Sequence, residues 1–173
     1  MSPNGIRYSE VKSGESSRLY GYGRISLTTK VSPLFNYYHK FFYVKLSDPN
    51  HLNFNSYKNI DNPKNRYIKI IPSNIEELLT PVVLAFFICG DGNYHKTKKI
   101  IRFCTNSYTK KEVELLSKAL LTRFNIESRL EHVRNNQYII IIRKTQVPIL
   151  HNLVRSHVHS SMLYRIGLSR INF

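Results

Sequence analysis

Residues 79–94, LTPVVLAFFICGDGNY, constrain the fold more than any other stretch of the chain. Thr80-Pro81 is a helix-start pairing, with proline in the first turn, where its missing N–H costs nothing. The run from Val82 to Cys89 is apolar throughout. Asp91 then falls in the last turn, between Gly90 and Gly92. The helix dipole already places negative charge there, so a carboxylate is disfavoured by roughly 0.3–1 kcal/mol unless a cation offsets it. An acid at that position calls for a reason.

The flanking sequence supplies the rest of a fold. YGRISLTTK (22–30) alternates as a strand, and SPLFNYYHKFFY (32–43) reads as an aromatic helix after Ser-Pro. Residues 48–65 carry several Asn and two Pro with little periodicity, a loop. RYIKIIP (66–72) is a short strand. SNIEELL (73–79) opens with Ser73 and places Glu76 three residues on, a capping box. After Gly92, NYHKTKKIIRFCTN predicts a hairpin whose turn, around His95 to Lys99, is basic. TKKEVELLSKALLTRF (109–124) is the clearest helix: Thr109 and Glu112 form a second capping box, and Val113, Leu116, Leu120 and Phe124 share a face. IESRLEHV (126–133) and QYIIIIRK (137–144) are strands joined by Arg134-Asn135-Asn136. TQVPILHNLVRSHV (145–158) predicts a last helix with Pro148 in its first turn, and HSSMLYRIGL follows. From Pro81 the order is helix, strand, strand, helix, strand, strand, helix. Paired strands separated by helices predict an α+β domain with an antiparallel sheet.

Lys and Arg number 26 against 11 Asp and Glu, a net charge of +15 on 173 residues. Such a surplus points to a polyanionic partner, nucleic acid before acidic membrane. No apolar run approaches the roughly 18–20 residues that span a bilayer. Residues 1–18 are polar and read as an arm, without a secretory apolar segment. Cys89 and Cys104 have no CxxC neighbour and read as reduced, packed thiols rather than zinc ligands. His157 and His159 lie two apart but read as loop residues.

LAFFICGDG (84–92) resembles the nine-residue signature of the LAGLIDADG homing endonucleases. IPSNIEELLTP before it, and NSYTKKEVELL, VPILHNLV and VHSSMLYRIGL after it, resemble segments of one organellar subfamily. The likeness covers roughly residues 22–168. It implies an αββαββα repeat whose antiparallel, saddle-shaped sheet grips nucleic acid, and two motif helices packed at a pseudo-twofold axis. Each such helix delivers an acid, and the pair holds divalent metal, usually magnesium, for hydrolysis of phosphodiesters. Asp91 occupies the family's metal-ligand position, and Lys144 resembles a basic residue that some members place near the metals. Val82, Ala85 and Cys89 make a small-residue stripe suited to a close helix contact, with Gly90 allowing close approach and Gly92 ending the helix.

No apolar helix ending in an acid precedes position 81. The chain therefore resembles a polar arm (1–18), the remnant of a first repeat (19–72) and a complete repeat (73–173). The second carboxylate then has to come from a homodimer partner or a separate fragment. Candidate nucleic-acid contacts are Lys96, Lys98, Lys99, Lys110 and Lys111, read as one cluster, with Arg102, Asn106, Arg129 and Arg143. Arg102, Cys104 and Asn106 share one face of their strand, while Ile101, Phe103 and Thr105 take the other. In QYIIIIR both faces are apolar, so base readout is lost or a partner covers the sheet. Two functions follow: an endonuclease active once a second motif helix is supplied, or a repurposed RNA-binding protein such as an intron maturase or a component of an organellar ribosome. The excess of Asn, Lys, Ile, Tyr and Phe, spelled by AT-rich codons, suits a mitochondrial or other organellar gene.

Overall fold

A computed structural model describes residues 6–10, 23–27, 32–45, 67–134 and 137–168. The chain divides into two units, 1–39 and 40–173. In the first, β1 (Ile6–Glu10) pairs antiparallel with β2 (Gly23–Leu27), Ile6 opposite Leu27. The predicted polar arm thus contains a strand. Helix α1 (Pro33–Phe42) follows, its residues all at least partly exposed and its last three belonging to the second unit. The predicted loop at 48–65 lies outside the described residues.

In the second unit β3 (Tyr43–Lys45) pairs antiparallel with β4 (Tyr67–Lys69). The first predicted capping box does not form. Helix α2 is a single turn, Ile75–Leu78, with Asn74 at its N-cap and no side-chain cap. The residues that follow set its length. Pro81 drives the chain before it into extended conformations, so the helix cannot lengthen, and Leu79 is already extended. Helix α3 (Pro81–Asp91) starts as predicted, with the Thr80 hydroxyl accepting from the Val83 N–H at 3.2 Å.

Strands β5 (Gly92–His95), β6 (Ile100–Phe103), β7 (Ser128–Arg134) and β8 (Gln137–Ile142) form a four-stranded antiparallel sheet in the order β5-β6-β8-β7. Helix α4 (Lys110–Phe124) carries the second capping box intact and ends on Asn125 in the left-handed region. Helix α5 (Val147–Val154) stops four residues short of the expected end. Buried Val158 turns extended there, and the chain continues in 3-10 turns at Arg155–His157 and Ser160–Ile166.

The core lies between one sheet face and the helices. Ile101, Phe103, Ile140 and Ile142 point in from the sheet and meet Leu84 and Ile88 of α3, Val113 and Leu120 of α4, and Leu150 of α5, all fully buried. Phe87 packs edge-on against Phe103, centroids 5.5 Å apart. The carboxylate of buried Glu112 receives both the Thr109 cap N–H at 2.8 Å and the Ile71 N–H at 3.2 Å. One side chain thereby closes the helix start and fastens the segment leading into α2.

Candidate functional site

The site grows from the end of α3. Asp91 is the last helical residue and is half-buried. Among the described residues its carboxylate has no hydrogen bond or ion pair, while its backbone carbonyl accepts the Cys104 N–H at 2.9 Å. That bond sets the exit of the helix directly into β5. Gly92 is needed there for room, not for a left-handed turn. Its φ is −83°, but a Cβ would stand 2.5 Å from the Ile88 carbonyl oxygen. Gly92 ends the helix as expected, as its C-cap in an extended conformation.

Two further groups gather at this end. The Arg165 guanidinium donates through Nη1 to the Gly92 carbonyl at 2.9 Å and through Nε to the Tyr164 hydroxyl at 3.1 Å. Helix α3 has no basic residue in its own last turn, so the cation that relieves the helix dipole comes from the far end of the chain. Burial raises the Cys89 thiol above its usual value, and the Arg165 charge draws it back in part. Burial, followed by the charges of Asp91, Glu112 and Tyr43, raises the Tyr108 phenol as well. Tyr108 also lines an open cleft of about 260 Å³ with Phe42, Tyr43, Lys69 and Ile70.

Along α3 the exposed stripe differs from the expected one. Ala85 is fully buried in the core of its own unit, so it has no surface left for a second helix. The open face comprises Val82 and Val83, each 44% exposed, Phe86, 72% exposed, and Gly90, whose Cβ position meets nothing within 4 Å. Cys89 is half-buried at the margin of this stripe, and Cys104 is exposed rather than packed. A helix that begins at Pro81 simply turns Ala85 inward beside Leu84 and Ile88.

On the outer sheet face the strand register brings distant residues into one row. Asn93 lies opposite Arg102, Arg102 opposite Ile141, and Ile141 opposite Arg129. Arg129 is exposed and pairs with Glu131 at 2.8 Å. Ile139 and Ile141 face outward, yet only 9% and 2% of their surface is open. They sit on a central strand, where long flanking side chains can lay their stems over them. The buried, unpartnered Nε of Arg102 fits such a posture.

The predicted lysine cluster is split. Lys96, Lys98 and Lys99 are exposed on the β5–β6 turn. Lys110 and Lys111 begin α4 at the other end of β6, and Lys110 is drawn to Glu114 at 3.6 Å and to the Tyr138 ring. Asn106 donates to the Gln137 amide oxygen. Arg143 leaves the outer row and lines an open groove of about 430 Å³ between α4 and β7. Lys144 is exposed in the turn between β8 and α5.

Asp91 is a hard oxygen donor of the kind magnesium takes, but a single one. Among the described residues no group of three or more His, Cys, Asp or Glu side chains could hold a metal ion. His157 and His159 therefore do not form part of such a group. No helix of the described residues is long and apolar enough to cross a membrane. Sequence reasoning missed Arg165, Tyr108 and Phe86. Arg165 is 73 residues from Gly92, and no spacing rule links them.

Residues 3–150 match the LAGLIDADG DNA endonuclease family. The cytochrome b mRNA maturase bI2 of Saccharomyces cerevisiae is 35% identical over 102 residues, which are 58% of this chain and 24% of that protein. The protein of the same name from Debaryomyces hansenii is 32% identical, over 60% of this chain and 40% of its own length. The intron-encoded endonuclease ai4 of Dictyostelium discoideum is 32% identical over 54% of this chain and 58% of its own. The chain thus spans a quarter to under two thirds of these relatives. The structure of the homing endonuclease I-WcaI bound to its DNA recognition sequence superposes with a TM-score of 0.62 at 21% identity, covering 96% of this chain and 65% of that one.

Proposed function

Because the chain belongs to the LAGLIDADG DNA endonuclease family, we propose that it binds nucleic acid across the outer sheet face and presents Asp91 as one half of a phosphodiester-cleaving site. The observation that carries this reading is the open face of α3. Among the described residues, Val82, Val83, Phe86 and Gly90 form an unpartnered apolar stripe that leads to a carboxylate with no hydrogen bond or ion pair. A second acid-tipped helix seated on that stripe completes the site, whether it belongs to another copy or to other sequence. The net charge of +15 supports the nucleic-acid partner.

Magnesium takes oxygen ligands and near-octahedral geometry. Asp91 would hold it together with the second helix's acid, phosphate oxygens and water. When bound, the ion would supply an activated water and neutralise charge on the leaving oxygen. The chain's own part is to deliver the carboxylate at a fixed height, set by the bond from Cys104 and the close approach at Gly92.

Asp91→Asn is expected to abolish magnesium-dependent cutting of duplex DNA while leaving DNA affinity nearly unchanged, since it removes a ligand and not a phosphate contact. Wild-type protein that cuts nothing with magnesium, alone or with a second motif helix supplied, would end the cleavage reading. The alternative is an RNA-binding protein that has lost cleavage, in keeping with relatives named as mRNA maturases. Ile139 and Ile141 favour it, because a strand reading bases from the major groove needs polar side chains there. An organellar location suits both readings and is supported by the likeness to those relatives.

A further inference from the structure

Arg165 is half-buried, and its two protein partners are neutral: a backbone carbonyl and a phenol. Among the described residues only two ion pairs form, Lys110–Glu114 and Arg129–Glu131, and Arg165 belongs to neither. Its Nη2 makes no hydrogen bond there and is not buried. A guanidinium is a planar fork that binds phosphate oxygens in pairs. This one is pinned on two sides, so its open edge is held in place with little rotamer entropy left to lose.

The position matters as much as the posture. The Asp91 carbonyl bonds inward to Cys104 of the neighbouring strand segment. Carbonyls alternate along a paired strand, so that of Gly92 points to the free edge of β5, which is the outermost strand. Arg165 caps this edge, one residue from the acid. A half-buried cation without a counter-ion is costly unless an anion arrives to pair with it.

We propose that Arg165 is a phosphodiester-binding residue, holding a nucleic-acid backbone phosphate beside the Asp91 end of the motif helix. This rests on the nucleic-acid reading above and adds a contact away from the sheet face. Tyr164, 52% exposed, steadies the guanidinium through its hydroxyl. A purely structural Arg165 would instead use the helix dipole as its only counter-charge. It would affect stability and leave nucleic-acid binding untouched.

The test is a salt titration of binding by fluorescence anisotropy, with labelled duplex DNA in one arm and a structured RNA in the other. One phosphate contact contributes about 0.9 to the slope of log K against log salt for B-DNA and about 0.7 for single strands. Arg165→Gln is expected to reduce the slope by about that much and to weaken binding roughly three- to tenfold at low salt. Arg165→Lys keeps the charge, so the slope should hold while affinity falls by a smaller factor. The arm that shows the change identifies the nucleic acid. Wild-type protein that binds neither probe overturns the nucleic-acid reading and this one with it. Wild-type binding with an unchanged slope in Arg165→Gln overturns this inference alone. Should Arg165→Gln fail to fold, Arg165→Lys with wild-type affinity overturns it equally.

Discussion

The two faces of α3 have similar composition and opposite fates. Leu84, Ala85 and Ile88 are sealed at 0% exposure under the sheet and neighbouring helices. Val82, Val83 and Phe86 are no more polar, yet a large part of each stands open. A helix that is apolar all round needs covering all round. The inner face is satisfied within the chain, and the outer face is the side on which the proposed second helix would sit. Stability resides on one side and the proposed association on the other, with Asp91 where the two faces end.

The largest expected effect lies on the inner side. Ile88→Ala removes a fully buried side chain against which Gly92 is packed, and should destabilise the chain by about 2–5 kcal/mol, read as a lowered midpoint in urea denaturation. An intermediate effect belongs to the outer side. Phe86→Ser should shift stability by less than about 0.5 kcal/mol, yet abolish association with a second motif helix in sedimentation velocity. If Ile88→Ala and Phe86→Ser cost the same in denaturant, the distinction between the faces is lost.

The smallest effect probes the end of the helix. The Tyr108 phenol ionises above its ordinary value, first through burial and then through the Asp91 charge. A phenol raised in the folded state leaves stability intact below its unfolded value near 10. That stability is lost as pH climbs from there through the folded value. Asp91→Asn should move the Tyr108 titration downward by part of its displacement, measured by ultraviolet absorbance at alkaline pH. The alkaline loss of stability should shrink in step. An unmoved titration would mean that the carboxylate points away from the phenol.

Local chemistry was legible wherever a few neighbouring residues decide the outcome. The Thr109 cap, the Thr80-Pro81 helix start, the basic hairpin turn and the inward set Ile101, Phe103 and Thr105 all follow from spacing alone. The Ser73–Glu76 signature shows the limit. The same residue pattern as Thr109–Glu112 fails because the single-turn helix α2 starts one residue later, with Asn74 and not Ser73 at its N-cap. The outward stripe of α3 was misplaced at Ala85, since the period of an all-apolar helix does not say which side meets the sheet. The lysines at 96–99 and 110–111 are near in sequence but separated by the length of β6.

The chain by itself determined its family, its order of elements, its strongly cationic character and the acid that ends its apolar helix. Those are properties of residue type and short-range spacing. Only the tertiary structure decided that Ala85 faces inward and Phe86 outward, that Arg102 and Arg129 flank Ile141, and that Arg165 reaches Gly92. Each depends on strand register or on a contact between residues dozens of positions apart, and neither helical nor strand periodicity encodes such distances.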